Sequence, residues 1–111
     1  MQDELIEYFL VNKELGMSPG KVAAQVAHVQ ALIDKQYSRT PSHMDWLAGN
    51  QKTIVLVGRE EDLLKWIEAG ATYIRDNGLT EIPAGSLTCC AFRPQPRSNV
   101  LALTKRMQLM K

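Results

Sequence analysis

Ile6-Glu7-Tyr8-Phe9-Leu10-Val11, then Asn12-Lys13-Glu14-Leu15-Gly16-Met17, then Ser18-Pro19-Gly20-Lys21-Val22-Ala23-Ala24-Gln25-Val26-Ala27-His28 is the stretch that decides the fold. Its first six residues are β-rich and mostly apolar, the composition of a strand buried on both faces. The next six read as a loop. Ser18 then offers an N-cap and Pro19 a first helical position, where the missing N–H costs nothing. The helix begun there is expected to run to about Tyr37, where Ser38-Arg39-Thr40-Pro41-Ser42 breaks it.

The rest of the chain repeats this alternation. A short helical turn is expected around Met44–Ala48. Lys52–Val57 is the clearest strand, ended by Gly58. Glu60–Ala69 is amphipathic, with acids in its first turn where the helix dipole favours them, and Gly70 closes it. Ala71–Arg75 reads as a third strand, Asp76-Asn77-Gly78 as a sharp turn, and Leu79–Gly85 as an irregular loop. Leu87–Phe92 is a fourth strand, stopped by Pro94 and Pro96. Ser98 is expected to cap a last short helix ending near Arg106. Strands separated by helices predict a three-layer α/β/α domain around a four-stranded sheet. The link between strands three and four holds no helix, so it is not a parallel crossover and the sheet is expected to be mixed.

A chain of 111 residues suffices for one domain, residues 1–111, with its own core. No apolar run approaches the roughly 20 residues that span a bilayer, and the start at Met1-Gln2-Asp3-Glu4 is acidic, unlike a secretory signal. No membrane association and a cytoplasmic location are the expectation. Cys89 and Cys90 are neighbours whose side chains would leave opposite faces of a strand, so they read as buried apolar groups, not a disulfide or a zinc site. The net charge of +1 is unevenly spread: residues 1–81 hold 12 acids and 8 bases, residues 82–111 five bases and no acid. Such asymmetry suits a polyanion-binding surface, and equally a solvated basic end.

On the first helix Val22, Val26, Val29 and Ile33 form an apolar face. Lys21, Gln25 and His28 follow one another at i, i+4 and i+7, a polar stripe two turns long. The spacing alone fits a solvated face as well as a groove. Lys21, beside Gly20 in the first turn, would complete an anion site at a helix N-terminus, with phosphate the natural ligand. The run Gly16–Val22 only imitates a nucleotide-triphosphate loop: it is one residue short, and Val22 replaces the magnesium-binding hydroxyl. Asp76 ends a strand, where α/β sheets usually place their sites. There it could orient or deprotonate a water, or merely shape the turn. Lys21 and Asp76 would converge if their strands run the same way. Thr88 could add a hydroxyl, or be simply a β-former.

Gly20-Lys21-Val22-Ala23-Ala24-Gln25-Val26-Ala27-His28 and Ile74-Arg75-Asp76-Asn77-Gly78-Leu79-Thr80-Glu81-Ile82-Pro83-Ala84-Gly85-Ser86-Leu87-Thr88, in this order, resemble the type 2 (archaeal/eukaryotic-type) peptidyl-tRNA hydrolase family. The likeness extends over nearly the whole chain. It implies a four-stranded mixed sheet flanked by helices, often dimeric, so a homodimer is expected. It also implies hydrolysis of the ester joining a peptide to the 3′ end of tRNA, with peptidyl-tRNA as partner and no cofactor or metal. The resemblance carries catalytic roles to Lys21, Asp76 and Thr88, and substrate-binding roles to Gly20, Gln25 and His28. Two departures stand out. Ala27 replaces the residue, usually Ser or another small one, before the helix histidine. Phe92-Arg93-Pro94 replaces a typical Ile-Gly-Pro, which is expected to set the Arg93 cation near the site, in contact with substrate. A non-catalytic tRNA- or nucleotide-binding protein of the same fold is the alternative.

Overall fold

The structure, a computed structural model, describes residues 4–78 and 81–111. Leu79 and Thr80 of the second motif, and the acidic start at Met1–Asp3, lie outside the described residues. In chain order the elements are strand β1 (Leu5–Asn12), helix α1 (Pro19–Tyr37), helix α2 (Pro41–Ala48), strand β2 (Thr53–Gly58) and helix α3 (Glu60–Glu68). Strands β3 (Thr72–Arg75), β4 (Leu87–Ala91) and β5 (Gln95–Pro96), helix α4 (Leu101–Thr104) and strand β6 (Gln108–Leu109) follow.

One mixed sheet runs β3-β4-β1-β2-β6, with β5 paired to the start of β1. β1 and β2 are parallel, while β4 is antiparallel to both β1 and β3. β1 and β3 therefore point the same way and end on the same edge of the sheet. This topology brings the start of α1, just past β1, near Asp76, just past β3.

Alternate side chains of β1 sort into two cores, as a strand covered on both faces requires. Phe9 and Val11 join Val22, Val29 and Ile33 of α1, with Cys89 and Ala91. Ile6, Tyr8 and Leu10 join Leu63 and Trp66 of α3, with Cys90, Phe92 and Val100. One helix thus covers each face. Cys89 and Cys90 fall into different cores and are free thiols, and burial pushes the Cys89 pKa up to about 12. Trp66 stacks on Phe92 with ring centroids 4.8 Å apart and donates its indole N–H to the Leu103 carbonyl, which fastens α4 beneath α3.

Several expectations need adjusting. The sheet has six strands, because Gln95–Pro96 and Gln108–Leu109 each add a two-residue ladder too short to show as a sequence pattern. Pro41 opens a helix as well as closing the previous one: Thr40 is extended before it, and α2 starts three residues earlier than expected. The last helical segment begins as a 3-10 turn at Arg97 with Pro96 in the N-cap position, so Ser98 lies inside it, and α4 ends at Thr104.

Candidate functional site

Ser18 caps α1 as its sequence position suggests, its hydroxyl accepting the Lys21 N–H at 3.2 Å. The helix's buried stripe is Val22, Gln25, Val29 and Ile33, not Val22, Val26, Val29 and Ile33. Gln25 takes the inward position and Val26 is only partly buried. A buried amide must find partners, and Gln25 finds two. Its Oε1 accepts the Thr88 hydroxyl at 2.6 Å, and its Nε2 reaches Asp76 Oδ1 at 3.4 Å.

Asp76 is placed by its backbone. A register shift between Ile74 and Arg75 turns the end of β3 just before it. The Asp76 N–H then donates to Ser86 O at 2.8 Å, and its carbonyl accepts Gly85 N–H at 2.7 Å, which closes the loop at its base. Gly78 is required there. Its φ of +75° is left-handed, and a Cβ would stand 2.6 Å from the Ala84 backbone nitrogen. The same glycine donates its N–H to Asp76 Oδ2 at 2.7 Å.

Lys21 Nζ meets Asp76 Oδ1 at 2.5 Å, and both side chains are nearly buried. The hydrogen bond from Lys21, helped by the Gly78 N–H and the nearby His28, holds the Asp76 carboxyl below the usual range against the opposing effect of burial. Lys21, Asp76, Gln25 and Thr88 form one hydrogen-bonded chain. An ionised, fully engaged carboxylate is a weak base. Its chemistry is to fix the ammonium and the amide and to hold a water by accepting from it.

Lys21, Gln25 and Asp76 of this chain floor a cleft of about 470 Å³. Gly20, Ala24 and His28 wall one side, and Ile74, Arg75 and Asn77 the other. A Cβ on Gly20 would meet nothing within 4 Å, so the backbone there is open to the cleft. His28 is exposed on the rim, while Thr88 is wholly buried behind Gln25.

Arg93 is the exception and corrects an expectation. β4 runs against β1, so its end lies at the opposite edge of the sheet. There the Arg93 guanidinium donates to the Ser42 hydroxyl at 3.1 Å and lies 5.6 Å over the Tyr37 ring. It does not line the cleft, contrary to the expectation that it sits near the site. Two residues join the site that the sequence reading did not single out. Glu81 accepts the Ser18 N–H at 2.7 Å, tying the loop after β3 to the start of α1. Arg75 donates to Gly85 O at 3.0 Å. Contacts spanning 63 residues leave no local signal, whereas the i, i+4, i+8 spacing of Gln25, Val29 and Ile33 is a signal that could have placed Gln25 on the inward face instead of on the polar stripe.

No helix among the described residues is long and apolar enough to cross a membrane. A family profile described as Peptidyl-tRNA hydrolase PTH2 matches residues 5–110. A protein of Staphylothermus marinus named peptidyl-tRNA hydrolase is 34% identical, with 96% of each chain covered. A protein of the same name from Thermococcus sibiricus is 36% identical over 94% of this chain and 96% of its own. One from Methanothermobacter thermautotrophicus is 31% identical over 94% of this chain and 98% of its own. With nearly its full described length matched, the chain belongs to the Peptidyl-tRNA hydrolase PTH2 family.

Proposed function

We propose that the chain hydrolyses the ester joining a peptide, or an N-blocked amino acid, to the 3′ end of tRNA, and that residues 1–111 act as one catalytic domain. The observation that carries the reading is the Lys21–Asp76 contact at the floor of an open cleft, continued through Gln25 to Thr88.

In the proposed reaction the ester carbonyl lies over Lys21, whose ammonium stabilises the negative charge that develops on the carbonyl oxygen. Asp76 stays ionised and orients the attacking water, while the buried Thr88 hydroxyl fixes the Gln25 amide and, through it, Asp76. Thr88 is thus a positioning residue in this scheme. His28 and the open Gly20 backbone contact the bound 3′ end. Attack by water forms the new C–O bond and breaks the ester bond to the ribose oxygen. One proton of the water passes to that oxygen and the other to solvent, giving a free peptide carboxylate and deacylated tRNA. These steps use only water and the side chains named.

Arg93 was the reason to weigh a binding protein without turnover. Its place at the far edge of the sheet, bonded to Ser42, supports the hydrolase reading over that alternative. The resemblance supports a homodimer as the working assembly, which light scattering tests, and the family's role in translation supports a cytoplasmic location.

The decisive experiment incubates the protein with N-acetylaminoacyl-tRNA and follows release of the N-acetyl amino acid. Release that grows with enzyme concentration is expected. Salt-sensitive tRNA binding with no release would overturn the catalytic reading and leave the binding protein.

A further inference from the structure

A second cleft, of about 290 Å³, opens at the same sheet edge as the first, on the other side of β1. Three cations line it from three separate parts of the chain. Lys13 follows β1, Arg59 sits in the N-cap position of α3, and Arg106 follows α4. All three are exposed. Among the described residues, none has a carboxylate within ion-pair distance, whereas Lys21 has Asp76 and Lys52 has Glu4.

The lining also carries the carboxylates Glu61 and Asp62, which leaves it a net charge of +1. Asp62 and the nearby Glu14 turn to backbone N–H groups and not to the three cations. Asp62, in the same cleft, accepts the Arg59 backbone N–H at 2.9 Å. Glu14, next to Lys13 in sequence, accepts the Glu60 N–H at 2.7 Å. Glu61 is the remaining acid of the lining. Long, unpaired cations held on different elements suit successive phosphates of a nucleic-acid backbone, which they position without reading sequence. The basic segment 82–111 is thereby divided: Arg106 faces this edge, while Arg93 and Arg97 sit by the start of β1.

We propose that the Lys13, Arg59 and Arg106 cleft docks the phosphate backbone of the tRNA body while the acylated 3′ end occupies the Lys21–Asp76 cleft. This rests on the proposed function, and it assigns discrimination for a whole tRNA over a short ester to residues outside the reacting centre.

The test compares the Lys13→Ala/Arg59→Ala/Arg106→Ala variant with a control of equal charge change, Lys35→Ala/Arg39→Ala/Arg97→Ala. Each is assayed on N-acetylaminoacyl-tRNA and on the N-acetylaminoacyl ester of a CCA trinucleotide. Binding of deacylated tRNA is measured across salt concentrations. The docking variant should raise KM for the tRNA about tenfold or more with kcat kept, and leave the trinucleotide ester within about twofold. Its log Kd against log salt should flatten by roughly 2–3 relative to wild type, as loss of three phosphate contacts requires. Equal losses on both substrates, or a tRNA KM no different from the control's, would overturn the proposal. If the wild type cleaves neither ester, the hydrolase reading fails, and the salt dependence of tRNA binding still decides the docking surface.

Discussion

Helix α1 serves two clusters of polar side chains, and they are built in opposite ways. At its start Lys21, Gln25, Asp76 and Thr88 bond one another, and Asp76 is held below the usual carboxyl range chiefly by Lys21. Towards its end Glu7 of β1 is wholly buried near Asp34 of α1, while His43 of α2 contacts Asp34 at 3.2 Å. Among the described residues, neither Glu7 oxygen, nor His43 Nδ1, has a well-formed hydrogen bond. Burial, with the Asp34 charge adding and the Gln30 amide opposing, pushes the Glu7 pKa up to about 8. One carboxyl is kept charged beside an open cleft, the other neutral in a closed interior. The difference shows that burial alone does not make a site: a cation, converging donors and access to solvent do.

Removing the cation should break the contrast most severely. Lys21→Ala is expected to lower kcat/KM for N-acetylaminoacyl-tRNA by about 100- to 1,000-fold, the usual loss for one charge-stabilising donor. Circular dichroism should show the fold retained, because the ammonium lies at the cleft and outside both cores.

Glu7→Gln addresses the other cluster. A folded-state pKa of about 8, against 4.5 for the free group, means that the native state holds a proton the unfolded chain releases between these values. The stability Glu7 allows is therefore complete below about pH 4.5 and falls as pH rises to about 8. The glutamine variant should escape that fall and exceed wild type by a few kcal/mol at pH 9, while matching it near pH 4.5, as urea denaturation at the two values would show. Equal pH dependence of the two proteins would remove Glu7 from the account.

Smaller changes sharpen the comparison. Ser18→Ala removes the α1 cap and should cost about 1 kcal/mol in urea denaturation. Arg93→Gly, at the Glu7 end, should leave kcat/KM within about twofold, because its guanidinium engages Ser42 and Tyr37 and not the cleft.

Much of this was legible from residues near one another in sequence. β1, β2 and β4 announce themselves because buried strands are apolar runs, and Ser18-Pro19 marks the start of α1 by cap chemistry. The same logic applied at Thr40-Pro41, where proline's role as a breaker hid its role as a starter. Gln25 groups with the polar stripe by its chemistry, although its spacing to Val29 and Ile33 matches the buried face. The convergence of Lys21 and Asp76 depends on a shared strand direction, which the antiparallel β4 between β1 and β3 supplies. The same antiparallel strand carries Arg93 to the far edge, a consequence of pairing that no local pattern encodes. The Glu81–Ser18 bond and the union of Lys13, Arg59 and Arg106 likewise exist only once the chain is folded.

The contrast between the two carboxyls can be read in one titration. With side-chain carboxyl carbons labelled, NMR should show Asp76 titrating below 3.8 and Glu7 near 8 in the same folded protein. Both carbons titrating together near pH 4 would contradict the claim that the fold keeps one carboxyl charged at the cleft and the other neutral in the core.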